Sequence, residues 1–97
     1  MRYEIVLAPE AVEDLKSLRA YLRKEVKDAI ERYLRSQPTR QTKSRIKRLR
    51  GLSRPQYRLR VSAVRVFYDV VDQEVQVLAV VDKEQAQSWL DRAGEKP

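Results

Sequence analysis

The residues best suited to chemistry are three arginines, Arg58, Arg60 and Arg65, in the stretch "YRLRVSAVRVFYDV" at residues 57 to 70. Side chains alternate between the two faces of a strand. Folded as a hairpin about Ser62 and Ala63, the stretch sets Val61 against Val64, Arg60 against Arg65, Leu59 against Val66, Arg58 against Phe67 and Tyr57 against Tyr68. One face then gathers Tyr57, Leu59, Val61, Val64, Val66 and Tyr68, and the other gathers Arg58, Arg60, Arg65, Phe67 and Asp69. Like charges directly opposite each other destabilise a sheet. The Arg60/Arg65 pair must be dispersed in water, matched by carboxylates such as Asp69, or used to hold an anion. Guanidinium groups suit phosphate oxygens and stay cationic at any physiological pH. Phe67, on the same face, is placed to stack on an unpaired base. Such a surface also suits attack of a ribose 2′-hydroxyl on the neighbouring phosphate. Negative charge builds on the phosphoryl oxygens in that step, and each well-placed donor stabilises it by about 3 kcal/mol.

The charge around the hairpin is one-sided. From Arg40 to Arg65 there are ten basic residues (Arg40, Lys43, Arg45, Lys47, Arg48, Arg50, Arg54, Arg58, Arg60 and Arg65) and no acid. The remainder holds 11 of the 21 basic residues and all 14 acidic ones, so the whole excess of +7 belongs to this block. A contiguous basic block is the electrostatic footprint of phosphate binding; the plainer reading is a solvated loop. Arg45, Lys47, Arg48, Arg50, Arg54 and Lys83 join Phe67 as expected RNA contacts. With neither Cys nor His in the chain, disulfides, thiol nucleophiles, imidazole acid–base chemistry and the usual zinc sites are excluded. The carboxylates do not cluster at metal-ligand spacing, and no cofactor is expected. The N-terminus lacks the apolar core of a signal peptide, and no apolar run approaches a membrane span, so a soluble cytoplasmic protein is expected.

The elements that position these residues follow from periodicity. The 97 residues are enough for one domain with a modest core, spanning 1–97. "RYEIVLA" alternates as a strand, and Pro9 suits the first turn of a helix. Ala11, Leu15, Leu18 and Leu22 form one apolar stripe; Val26, Ile30, Tyr33 and Leu34 form another. One helix over this span would be about 40 Å long, too long for so small a domain, so two antiparallel helices with a break near Ala20 to Lys24 are expected. A polar loop, "SQPTRQTKS", leads to a short extended arm, "RIKRLRGL", anchored by Ile46, Leu49 and Leu52 and closed by Gly51. Three antiparallel strands follow, at Gln56–Ser62, Val64–Asp72 and Glu74–Asp82, with the last in a central position. Asp82, with Gln85 three residues on, has the pattern of a capping box for a final helix that Gly94 stops. The order β-α-α-β-β-β-α is α+β, an antiparallel sheet packed on an N-terminal helical hairpin with a short C-terminal helix. The apolar face of the hairpin packs on the helices, which leaves the arginine face open.

"RLRGL…YRLRVSAVRVFYDVVDQEVQVLAVVDK" resembles the RelE/ParE superfamily of toxins from type II toxin–antitoxin modules, and the likeness covers nearly the whole chain. Members carry a basic L-x-G segment followed by Y-R-[LI]-R-V-G-x-[YF]-R-[VL]-x-Y. Here Ser62-Ala63 replace the frequent Gly-acidic turn pair, and Val64 replaces an aromatic. The RelE branch implies cleavage of messenger RNA in the ribosomal A site, and the ParE branch implies poisoning of DNA gyrase. By resemblance, Arg58, Arg60 and Arg65 match the positions with which ribonuclease members bind and activate the scissile phosphate. Some members have Lys at the first two positions, one of them proposed as the general base. Arginine is a poor base, which leaves Lys83, Glu84, Asp69, Lys43 or Lys47 for that role. Glu84 stands where those members carry an arginine, and Trp89 stands where a tyrosine is expected, with a spacing that favours core packing. The charge distribution favours the RelE-like reading, inhibition of translation by binding and cleaving ribosome-bound mRNA. The alternatives are gyrase inhibition, or a weak toxin homologue kept for antitoxin binding. Under each, the resemblance implies a cognate antitoxin, acidic and partly disordered, that forms a hetero-oligomer with the chain.

Overall fold

The computed structural model describes residues 2–97. In chain order it contains β1 (Glu4–Leu7), α1 (Pro9–Ser17), α2 (Ala20–Ala29) continued by one π-helical turn (Ile30–Leu34), β2 (Ile46–Arg48), β3 (Tyr57–Val61), β4 (Val64–Val71), β5 (Glu74–Asp82) and α3 (Lys83–Ala93). The α+β class and the element order match the expectation, with one addition. The extended arm is a true strand, β2, paired antiparallel with β3. The sheet runs β1-β5-β4-β3-β2. It is mixed, because β1 returns parallel to β5 while every other pair is antiparallel.

No Gly or Pro breaks the N-terminal helices, yet the chain turns extended at Leu18 and Arg19 (ψ 151° and 150°), just ahead of the expected Ala20. Arg23 supplies the stop. Its Nε donates to Leu15 O at 3.0 Å, and its Nη2 donates to Lys16 O at 3.2 Å and Leu18 O at 2.8 Å. Carbonyls at the end of α1 and in the link that follows thus gain side-chain donors from the next helix. At the far end of α2, Arg35 binds the Glu31 carboxylate through two nitrogens and donates to Tyr3 O. That contact ties the helix to the edge strand β1.

The core lies on both faces of the sheet. On one, Leu59, Val61, Val64, Val66, Tyr68, Val75 and Val77 pack under Ala11 and Leu15 of α1 and Val26, Ala29, Ile30 and Leu34 of the second helix. On the other, Trp89 of α3 packs on Phe67 and Ala79, with Leu49, Leu78, Val81, Ala86 and Leu90 around them. The apolar character of both faces of β5 follows from this double cover. It is helped by a bulge at Leu78, where the register with β4 shifts between Phe67 and Tyr68. The Val80 N–H donates to the Asp14 carboxylate of α1 at 2.8 Å. The expected capping box does not form. Asp82 holds the N-cap position without a side-chain hydrogen bond, and the Lys83 N–H donates instead to Ala63 O in the β3–β4 turn. Gly94 ends α3 as expected; a Cβ there would meet Leu90 O at 2.5 Å.

Candidate nucleic-acid interface

The β3–β4 register is the one read from the sequence: Tyr57↔Tyr68, Arg58↔Phe67, Leu59↔Val66, Arg60↔Arg65 and Val61↔Val64. Ser62 opens the turn at φ 51°, a left-handed position where a glycine would be free of strain. Its hydroxyl donates to the Glu25 carboxylate at 3.0 Å, fastening the turn to α2. Arg58, Arg60 and Arg65 therefore share one face, and β2 adds Lys47 directly opposite Arg58.

That face is only half open. Trp89 stacks on Phe67 with ring centroids 5.0 Å apart and planes 4° from parallel, and Phe67 is 1% exposed. The expectation that Phe67 would stack on a base is corrected: its ring is already covered by α3. Trp89 is likewise a core residue, and its indole N–H donates to Glu10 at 2.6 Å. The arginines are less covered than Phe67. The guanidinium of Arg65 folds back onto the turn, with Nη1 donating to Ser62 O and Val64 O at 3.1 and 3.0 Å. Arg58 is half-buried, and its Nε is buried without a hydrogen-bond partner. Arg60 is exposed.

Burial pushes the Arg58 guanidinium below the usual arginine range, and the charges of Arg65 and Arg60 push it further. Arg65 is lowered for the same two reasons, burial and Arg60, with the charge of Glu84 acting the other way. The three cations raise one another's free energy, and an arginine stays protonated even so. A bound phosphate would relieve that repulsion. Among the described residues no carboxylate forms an ion pair with Arg58, Arg60 or Arg65. No group of three metal-binding side chains occurs among them either.

A family model described as the ParE toxin of the type II toxin–antitoxin system parDE matches residues 5–87. The chain belongs to this toxin family. Its fold is that of solved RelE structures. The toxin resembles the RelB–RelE complex of Methanococcus jannaschii at 24% identity and a TM-score of 0.68, covering 87% of this chain and 96% of that one. The RelBE2 complex of Mycobacterium tuberculosis aligns at 23% identity and 0.70, over 84% and 99%. A double mutant of E. coli RelE in the free state aligns at 23% and 0.68, over 96% and 99%. No curated protein matches the chain.

The toxin's other basic residues divide between surfaces. Arg54 is committed to structure: its Nε donates to Asp69 Oδ2 at 2.6 Å, and Asp69 also accepts the Gln56 N–H at 2.7 Å. Asp69 is 2% exposed. It therefore neither neutralises the arginine face nor serves as a base there, and Arg54 is tied by this ion pair while its side chain stays 46% exposed. Arg48 is exposed but lies on the other face from Arg58, Arg60 and Arg65. Strand alternation puts it with Tyr57, over whose ring it lies at 5.1 Å, donating to the hydroxyl at 3.2 Å. Arg45 sits at the edge, its Nη1 donating to Arg60 O at 3.3 Å. Arg50 lines a groove beside α3 with Leu90, Gln87 and Asp91. Lys83 begins α3 next to the turn. Arg32 was not singled out in the sequence, because it comes from the second helix; its guanidinium lies 5.5 Å from the centre of the Tyr33 ring.

Proposed function

We propose that this toxin blocks translation by binding ribosome-bound messenger RNA through Arg58, Arg60, Arg65 and Lys47, and that it cleaves the strand held there. The observation that carries this reading is the group of cations without carboxylate partners on the half-open sheet face, with Arg60 opposite Arg65 and Lys47 opposite Arg58. Fixed guanidiniums would bind the scissile phosphate and stabilise the charge that grows as the 2′-oxygen attacks phosphorus and the P–O5′ bond breaks, leaving a 2′,3′-cyclic phosphate and a 5′-hydroxyl that takes up a proton. Lys47, Lys43, Lys83 and Glu84 are the groups left to take the proton; Glu84 is the one whose charge acts on Arg65. The solved M. jannaschii and M. tuberculosis relatives are toxin–antitoxin complexes, and we extend that to this chain: an acidic cognate antitoxin neutralises the basic face. Among the described residues no helix is long and apolar enough to cross a membrane, in keeping with action in the cytoplasm.

The experiment is cell-free translation with wild type and R60A/R65A. We expect the double variant to lose at least tenfold in inhibitory potency, about 1.4 kcal/mol or more. Full inhibition by that variant would overturn the proposal. A second reading, inhibition of DNA gyrase, is favoured by the ParE family match and by the lack of an evident acid–base pair on the arginine face. It predicts normal translation and impaired supercoiling.

A further inference from the structure

Three arginines on the far side of the β2 edge meet around one cavity. Arg32, Arg40 and Arg45, with Tyr33, Gln37, Thr42 and Ile46, line a space of about 280 Å³. The Tyr33 ring is approached by two of them, with Cζ of Arg32 at 5.5 Å and Cζ of Arg45 at 5.2 Å from its centre. Two cations on one ring repel each other, and no carboxylate pairs with Arg32, Arg40 or Arg45 among the described residues. The loop that carries Arg40 is held in place. The buried Tyr68 hydroxyl donates to Pro38 O at 2.6 Å, and Thr42 Oγ1 accepts the N–H groups of Arg45 and Ile46. Gln37 Oε1 accepts from Arg40 Nη1 at 3.1 Å.

This cavity connects to the arginine face. Arg45 donates to the backbone of Arg60 and lines a second hollow with Arg60, Ser44, Ser62 and Glu25. It therefore stands between the two groups of cations. We propose that the Arg32–Arg40–Arg45 cavity is a second phosphate-binding site, holding the backbone of the same RNA strand as it leaves the arginine face around Ser44 and Arg45. The inference rests on the RNA reading above. A single strand is favoured over an acidic peptide because the three guanidiniums have no carboxylate partner among the described residues and because Arg45 joins the cavity directly to the face assigned to RNA.

The test is fluorescence anisotropy of the full chain with single-stranded RNA of about four and about twelve nucleotides, the range of common single-strand site sizes. Wild type should bind the longer oligonucleotide at least tenfold more tightly. R32A/R40A should bind the shorter one as wild type does, lose the gain with length, and show a salt slope shallower by about 0.7 for each phosphate contact removed. R32K/R40K, which keeps the charges, should recover most of the slope, and this separates lost contacts from misfolding. The same length gain and slope in R32A/R40A would overturn the second site. So would a glutamate-rich peptide probe that loses binding to R32A/R40A while RNA binding is unchanged; the cavity would then belong to an acidic protein partner. If wild type binds neither oligonucleotide, the RNA reading itself fails and this inference fails with it. If the short one binds and only the length effect is missing, this inference fails alone.

Discussion

At the scale of single residues, the buried Tyr68 and the half-buried Asp14 each tie stability to a protonation state. Tyr68 carries a hydroxyl that burial, with a contribution from Tyr57, pushes well above the usual phenol range. It remains a neutral donor to Pro38 O. Y68F would leave that carbonyl without its partner, at a cost of about 1–3 kcal/mol in a denaturant titration. Asp14 behaves differently. Burial raises its carboxyl above the usual range and nearby Glu10 adds to this, while the Val80 N–H opposes. The folded state therefore binds the proton more tightly than the unfolded chain. In the window just above the ordinary aspartate value, the folded form carries more protons, so stability falls as pH rises through it. D14N keeps an acceptor for Val80 and removes the charge. The variant should gain stability relative to wild type at neutral pH, and the difference should vanish toward pH 3–4 in thermal melts taken across that range.

At the scale of elements, what could be read from the sequence and what could not have distinct causes. The hairpin register was legible residue by residue, because a period of two leaves one arrangement that buries Leu59, Val61, Val64 and Val66 together. The break between α1 and α2 was legible only as a need, since its agent, Arg23, acts through backbone carbonyls that leave no mark in local composition. Phe67 was misplaced because an amphipathic C-terminal helix can pack on either sheet face, and no sequence period decides which. The basic block misled for a related reason. Once the arm pairs as β2, alternation sends Lys47 to the arginine face and Arg48 to the opposite one. Arg32, outside the block, joins Arg45 only through Tyr33. The turn offers the test at this scale. Ser62 sits at φ 51°, which costs an L-residue roughly 1 kcal/mol. S62G relieves the strain and gives up the hydroxyl bond to Glu25. A net gain of about 0.5 kcal/mol is expected in chemical denaturation, with RNA binding retained because the register of Arg60 and Arg65 is unchanged.

At the scale of the whole molecule, the charge distribution sets how the free toxin responds to salt. Its cations lie exposed or half-exposed on both sides of the β2 edge, whereas the Arg54–Asp69 pair sets a half-exposed guanidinium on a carboxylate that is 3% exposed. Screening acts strongly on exposed charges and weakly on buried pairs. Added salt should therefore weaken the repulsion among Arg58, Arg60, Arg65, Arg32 and Arg45 more than it weakens the part-buried Arg54–Asp69 pair. A chain whose ion pairs dominated would lose stability under the same treatment. The melting temperature of the free toxin should accordingly rise by a few degrees between about 50 mM and about 500 mM sodium chloride. R60A/R65A, with two of the opposed charges gone, should start higher and rise less. Differential scanning calorimetry on both proteins decides the matter: equal salt responses would mean that the face is already neutralised from within. Only an unneutralised face has free energy to release when an RNA backbone or an acidic antitoxin covers it, so the salt response of the isolated chain measures in advance how strongly the surface calls for an anion.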